Sequence, residues 1–417
     1  MAQVRVIVVG GGAAGMMAAG RAAQKNGQVI LLEKNKMLGK KILISGKGRC
    51  NITNNTDIDG LLNNFPGNSR FLRGPFHTFS NIDLMNFFEN YGVKLKVERG
   101  GRVFPESDDS ANVIKALERY MQEGNVDIQT QANVREVYVQ EGGSFKVALE
   151  NGKVYISDKL IITTGGLSYP KTGSTGDGQK WAKKLGHSIV PMRPSLVPLV
   201  TKENWIQELQ GLSLKNVKVE IATKEKKKLA EDFGEMLFTH FGVSGPIILT
   251  VSRAVVDHFQ QKKEPLFLHL DLKPALTEKQ LDARLQRDIQ QFTNKQLKNS
   301  LGQLLPSKLI PVIIKRANIE AEKVMHQITK EERKELVSLL KDFTLTIEGA
   351  RPVEEAIVTA GGIDVKEINP KTMESKLIPN LFFAGEVLDI DGYTGGFNLQ
   401  AAFSTGYLAG QAAADDH

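Results

Sequence analysis

The sequence predicts an α/β fold: a parallel sheet begun by a βαβ unit, interrupted by a second module and completed by the C-terminal residues. Three observations predict it. Residues 4–9 are a β-branched run of buried-strand type, followed at once by a glycine turn, a small-residue helix and a second apolar strand. Composition shifts at residues 191–198, which hold three prolines, and the earlier pattern resumes only near Pro352. A last apolar strand over 380–385 then leads through a Gly-rich turn into a small-residue helix that runs to about Ala414.

The first unit runs strand (4–9), turn (10–15), helix (16–25) and strand (29–32), closed by Glu33. Residues 34–55 read as a long polar loop. Residues 71–91 read as one helix, and 102–105 as a short extended piece. Over 110–123, Val113, Leu117 and Met121 fall on one helical face. Residues 126–156 alternate as antiparallel strands, with a turn at 141–143. Residues 159–164 form another buried strand ending at Gly165 and Gly166. Past the proline-rich boundary, 196–272 reads as short strands and hairpins, with a turn or short helix at 242–256. Residues 277–340 read as helical, broken by Pro306 and Pro311, and 343–347 alternate again. The expected domains are 1–192 and 352–417 together, with 193–351 inserted: strands over 193–275, helices over 276–342.

Composition narrows the classes. The chain has 417 residues, 41% apolar and 24% charged, which excludes wholesale disorder and a fibrous protein. No apolar stretch is long enough to span a membrane. The first twelve residues lack a basic leader segment and a cleavage site, so the expected compartment is the cytoplasm. A single cysteine excludes an internal disulfide and a Cys-rich zinc site, and the histidines show no metal-ligand spacing, so no metal is expected. The net charge of +7 is concentrated. Residues 193–351 hold 26 basic and 20 acidic side chains, so the insert accounts for +6. A basic module on a near-neutral body suits a polyanionic partner such as RNA, although a solvated lysine surface has the same composition.

The chemistry begins at Gly10-x-Gly12-x-x-Gly15. The match alone is weak, but here it follows a strand and opens a helix, and Glu33 lies 18 residues beyond its last glycine. Gly10 suits a tight turn, Gly12 lets backbone approach a pyrophosphate, and Gly15 lets helix and strand pack closely. The helix N-terminus offers unpaired N–H groups to the anion. Glu33 suits ribose hydroxyls and would repel a 2′-phosphate. Two later Gly-rich turns, after the strands at 159–164 and 380–385, favour FAD over NAD, because the distant flavin end needs further holding turns.

Two segments then carry a family resemblance. Residues 46–54 (Gly-Lys-Gly-Arg-Cys-Asn-Ile-Thr-Asn) and 385–400 (Gly-Glu-Val-Leu-Asp-Ile-Asp-Gly-Tyr-Thr-Gly-Gly-Phe-Asn-Leu-Gln) resemble the two signatures of the YhiN/HI0933-like bacterial flavoproteins, also called the BaiN-type family. The resemblance covers essentially the whole chain. It implies a glutathione-reductase-type, Rossmann-like FAD-binding domain split by an inserted domain of β-barrel and helical parts. It further implies that Gly10, Gly12, Ala13, Ala14 and Gly15 hold the pyrophosphate, and Glu33 and Lys34 the adenosine ribose. Val134 presents backbone to adenine, Thr164 and Gly165 line the dinucleotide, and Gly385 and Glu386 face the pyrophosphate and ribityl chain. Gly396, Asn398, Leu399 and Gln400, at the last helix N-terminus, lie beside the flavin pyrimidine. Asp389 and Asp391 either share that role or cap a turn.

Six cations crowd residues 34–49, among them Lys34, Lys41 and Arg49, and suit FAD phosphates or an anionic substrate; a solvated flexible loop has the same make-up. Cys50 is either a packed small hydrophobe or a proton donor whose pKa neighbouring cations lower. Lacking a second cysteine, the chain is no disulfide reductase. His240 lies in a turn-rich stretch of the insert that, in the family, faces the flavin cleft. The expected activity is FAD-dependent reduction of a carbon–carbon double bond, with NAD(P)H docking transiently as electron donor, since no second GxGxxG stands in the chain. The alternatives are a flavoenzyme that reduces uridine to dihydrouridine in RNA held by the basic insert, and a non-catalytic FAD-containing binding protein.

Overall fold

The computed structural model describes residues 5–25 and 28–415. The chain divides into two compact units, Met1–Pro194 with Val353–His417, and Ser195–Pro352.

The first unit is built on a five-stranded parallel sheet. Its strands are β1 (Arg5–Val9), β2 (Gln28–Leu32), β3 (Asp127–Gln129), β4 (Lys159–Ile162) and β5 (Leu381–Phe383), in the order β5-β4-β1-β2-β3. The register places Val8 between Leu31 and Ile161, and Phe382 beside Ile161. Helices cover the sheet: α1 (Ala13–Gln24), α2 (Ser110–Glu123), α3 (Asp177–Lys184) and α4 (Phe397–Ala414). Val6, Ile7 and Val8 are fully buried, which is why these strands read as unbroken apolar runs. α1 and α4 pack backbone to backbone. A Cβ on Gly406 would strike the Ala14 carbonyl, and one on Gly410 the Ala18 carbonyl. Small residues make this approach possible, and α4 is buried around most of its circumference.

Three elements differ from the expectation. Residues 71–91 are not one helix. Ser80 accepts the Asp83 N–H while Asp83 accepts the Ser80 N–H, and this capping box starts a new helix, Asn81–Asn90, after the end of Arg73–Thr78. Residues 126–156 are not all antiparallel. Asp127–Gln129 pairs parallel with β2, and only Val134–Val139, Phe145–Leu149 and Val154–Ser157 form the antiparallel meander. Alternation marks a strand but does not name its partner. Residues 242–256 hold a full helix, Pro246–Gln261, with proline in its first turn; burial of Ile247, Ile248, Val251 and Val255 overrides their β propensity.

The second unit closes a six-stranded antiparallel barrel. Its strands follow the order Leu199–Thr201, Gly242–Ser244, Lys228–Phe238, Ser213–Ala222, Leu266–Asp271 and Phe343–Ala350, the last pairing back to the first. Val219, Ile221, Phe238, Leu268 and Leu345 fill its interior. Helices Glu278–Gln291, Leu309–Arg316 and Lys330–Lys341 pack within the same core. Among the described residues, no helix is long and apolar enough to cross a membrane.

Candidate functional site

The carboxyl ends of β1, β2, β4 and β5 bring most of the expected cofactor residues to one edge, the side on which open α/β sheets hold ligands. At the β1–α1 turn, Gly10 has φ +107, in the region that favours glycine. The Thr163 hydroxyl donates to the carbonyls of Val9 and Gly10, at 2.9 Å each. A Cβ on Gly15 would collide with the Gly10 carbonyl oxygen. Gly12 is the opposite case. A Cβ there meets nothing within 4 Å, and Gly12 caps α1 with no side-chain hydrogen bond. An open space thus faces a helix N-terminus that carries partial positive charge. Ala13 and Ala14 follow in the first turn, and Gly385 lies against the Ala14 methyl.

Glu33 is almost fully buried at the end of β2. Its carboxylate accepts from the Gly11 N–H (2.7 Å), the Asn35 N–H (2.8 Å) and the Asn35 Nδ2 (2.6 Å). A carboxylate offers about four acceptor sites, so capacity for a ribose hydroxyl remains. A cavity of about 560 Å3 is lined by the next residue, Lys34, with Val134, Thr175, Asp177 and Trp181 among others. This space joins Lys34 to Val134, the residues that the family resemblance implies for the ribose and the adenine. An open cradle off Gly12, an uncapped helix end, a buried acid with spare acceptor capacity and a cavity beside Lys34 together fit an ADP-type dinucleotide such as FAD.

At the start of α4 the two signature segments, 46–54 and 385–400, bond to each other. With its amide oriented to satisfy its neighbours, Asn51 accepts from the Gly396 N–H at 3.0 Å. Asn54 Nδ2 donates to the Gly395 carbonyl at 3.0 Å, and the Thr53 hydroxyl donates to Gln400 Oε1 at 2.5 Å. Gln400 is fully buried, and its amide also donates to Ser404 Oγ. Asn398 clamps the preceding loop, accepting from the Gly392 N–H and donating to its carbonyl. The side chains of Asn398 and Gln400 are therefore engaged by protein. Gly396 (φ +97), Asn398 and Leu399 leave α4 without a side-chain cap.

Several side chains lie elsewhere than the sequence suggested. Arg49 pairs with Glu98 at 2.7 Å and Asp108 at 3.2 Å and stacks over the Phe104 ring, so its charge is matched by one acid of a small antiparallel sheet and one of the loop after it. The expected lowering of the Cys50 pKa is overturned. Cys50 is fully enclosed, and burial pushes its thiol up to about 12 against a small opposing effect of a hydrogen bond with Ser45. It is a neutral, packed side chain. Asp389 accepts from the Gly361 N–H and from Asn68 Nδ2, a loop-holding role. His240, in the second unit, is exposed and lies edge-on to Phe241.

Around Glu386, Lys41 and Lys34 the same edge gathers residues that sequence reasoning did not name. Glu386 Oε2 accepts from Lys41 Nζ at 2.6 Å, while its Oε1 accepts from Ser168 Oγ (3.0 Å) and the Thr359 N–H (2.8 Å). Lys41 also donates to Ser168 Oγ, and the Thr359 hydroxyl accepts from the N–H groups of Leu167 and Ser168. Beyond Gly165 (φ +74) the same loop reaches Thr175 and Asp177, which accept from Lys34. Thr164 Oγ1 is buried without a hydrogen-bond partner. No local motif marks Ser168, Thr359 or Asp177, because their partners lie far away in the chain.

The HI0933-like protein Rossmann domain family matches residues 4–412. The chain belongs to that family. It is 33% identical over 414 residues to a 3-dehydro-bile acid delta(4,6)-reductase of Clostridium scindens, covering 99% of each. It is 32% identical over 412 residues to a ribosomal RNA dihydrouridine synthase of Escherichia coli, covering 99% of this chain and 98% of that one. Among solved structures, a 3-ketosteroid delta1-dehydrogenase of Sterolibacterium denitrificans shares the fold with a TM-score of 0.54 at 13% identity, covering 99% of this chain and all of that one. The protein is thereby an enzyme of the FAD-dependent oxidoreductase class, and no transmembrane helix stands among its described residues.

Proposed function

We propose that this chain reduces a carbon–carbon double bond conjugated to a carbonyl, using FAD held at the carboxyl edge of the parallel sheet and NAD(P)H as a transient donor in the cytoplasm. The open, uncapped cradle at Gly12 is the observation that carries the cofactor assignment. When bound, FAD supplies a hydride. The chain holds the cofactor. Gly10, Gly12, Ala13, Ala14 and Gly15 form the pyrophosphate turn, and Glu33 meets the ribose. Val134 backs the adenine, Thr164 and Gly165 line the dinucleotide, and Gly385 with Glu386 holds its middle. The N–H groups at the start of α4 stabilise negative charge on the pyrimidine side. Arg49 and Cys50 stand outside this set.

The substrate class follows from what the relatives' names share. A bile-acid enone and a uracil ring each present a double bond conjugated to a carbonyl, so one chemistry covers both. A small-molecule enone is the first reading. RNA is the second, favoured by the +6 charge of residues 193–351. Single-turnover reoxidation of the reduced enzyme, with a steroid enone in one arm and unmodified ribosomal RNA in the other, separates them. Rapid reoxidation by RNA that weakens steeply with salt supports the second reading. Reoxidation by neither refutes the proposal.

A further inference from the structure

Lys34 and Lys41 stand in a cation-rich loop that suggests direct neutralisation of cofactor phosphates. The structure pairs both with acids of the protein itself. Lys34 Nζ donates to Asp177 Oδ2 at 2.9 Å and to the Thr175 hydroxyl at 2.6 Å; that hydroxyl in turn donates to Asp177 Oδ2 at 2.6 Å. Lys41 Nζ donates to Glu386 and Ser168 at 2.6 Å each. Asn35 Nδ2 adds a third link, to the Thr172 carbonyl at 2.9 Å.

These bonds join two loops across a third. β1 lies between β2 and β4, so the loop after β2 (33–41) and the loop after β4 (163–177) flank the glycine turn on either side. The first loop is anchored at both ends on that turn: Glu33 accepts the Gly11 N–H, and the Gly39 N–H donates to the Gly11 carbonyl at 2.8 Å. The second is anchored through Thr163 on the Gly10 carbonyl. The loops then touch, and a Cβ on Gly173 would meet Asn35 Nδ2 at 2.7 Å. Asp177 is held ionised for this contact. Burial works against its charge, but the hydrogen bonds from Thr175 and Lys34 outweigh that and keep its carboxyl below the usual range.

We propose that Lys34–Asp177 and Lys41–Ser168–Glu386 are two latches that tie these loops over the dinucleotide, and that Asp177 and Ser168 are positioning residues for cofactor retention. The inference rests on the FAD reading above. It differs from phosphate neutralisation in the sign of one effect. If Lys34 contacts phosphate directly, removing Asp177 frees the cation and tightens binding. If Lys34 is a latch, removing either partner opens the same bond.

The test uses FAD-loaded protein and follows free-flavin fluorescence after dilution, for Lys34→Met, Asp177→Asn and the double variant. A latch predicts that both single variants release FAD faster, by roughly five- to tenfold for a part-buried charge-assisted pair. It also predicts that the double variant is no faster than the faster single one, and that Asp177→Glu restores release to within about twofold. Slower release from Asp177→Asn, or unchanged release from both single variants, overturns the latch. Asp177 also receives Lys180 at 3.3 Å, so Lys180→Met is run alongside, and a matching effect from that variant alone overturns the assignment to Lys34. Melting of the flavin-free variants checks folding. Should one of them fail to fold, Lys41→Met and Ser168→Ala pose the same question at the second latch, where faster release from both is again the expected result. A wild-type protein that holds no FAD refutes the cofactor reading before any variant is made.

Discussion

Replacing Gly12 by valine separates cofactor binding from folding, because the structure gives this glycine an unusual pair of properties. Its φ and ψ are −86° and −169°, extended backbone that any residue adopts, and a Cβ there meets no protein atom within 4 Å. The folded backbone therefore has room for the added Cβ. Removing a glycine from such a position lowers the entropy of the unfolded chain by about 0.4–1 kcal/mol, which offsets the similar cost, about 1 kcal/mol, of valine as a poorer N-cap for α1. The added side chain occupies the space in front of the α1 N-terminus instead. Crowding a well-packed contact costs about 1–3 kcal/mol, or a loss of about 5- to 150-fold in FAD affinity. Gly15→Ala is the contrasting control. Its Cβ collides with the Gly10 carbonyl, so the turn itself must move and stability falls by at least about 1 kcal/mol. The assay is urea unfolding of flavin-free protein beside FAD titration of the refolded variants. Wild-type FAD affinity in Gly12→Val, or a loss of more than about 1 kcal/mol in its flavin-free stability, refutes the reasoning.

Cys50→Ala is expected to keep turnover within about twofold of wild type and to cost about 1 kcal/mol of stability, as for a small packed side chain; a hundredfold slower reoxidation would restore a chemical role for the thiol. His187 is buried and neutral, with its pKa lowered chiefly by burial. Ser375 Oγ accepts from the N–H groups of Leu377 and Ile378, so its proton points to His187 Nε2 at 2.8 Å. A depressed pKa gives stability that is present above the unfolded value of about 6.5 and is lost as pH falls towards the folded one. Melting temperature should therefore decline over that window in wild type and decline less in His187→Gln; equal slopes would remove His187 as the cause. Replacing residues 195–352 by a short Gly/Ser linker should leave FAD binding measurable and end turnover. The flanks suit the graft, because Ile189–Ser195 and Val358–Ile363 are hydrogen-bonded neighbours. Unchanged turnover in a folded deletion protein would show that the insert does not govern substrate.

How much of this was legible depends on how far each signal reaches. The β1–α1–β2 unit and the acid after it could be read from residues 4–33, because a glycine turn, an apolar run and a terminal carboxylate act within one supersecondary unit. The helix over Ser110–Glu123 is legible from the spacing of Val113, Leu117 and Met121, because a 3.6-residue period is local. The break at Ser80 rests on an equally local capping box, but the apolar residues on both sides keep a helical spacing that hides it. The parallel pairing of Asp127–Gln129 was not available to any local rule.

The candidate site divides along the same line. Sequence by itself determined which residues can form a dinucleotide cradle, because glycine at a turn and unpaired N–H groups at a helix start are properties of consecutive backbone. Only the tertiary structure decided where the charges went. Lys34, Lys41 and Arg49 are alike as letters, yet Asp177, Glu386 and Glu98 engage them from 143, 345 and 49 residues away. The same holds for Cys50, whose cationic neighbours in sequence promised a reactive thiol and whose enclosure in space delivers a neutral one. A pKa and an ion pair depend on what lies within a few ångströms, and for a side chain in a long polar loop that distance is set by the rest of the fold.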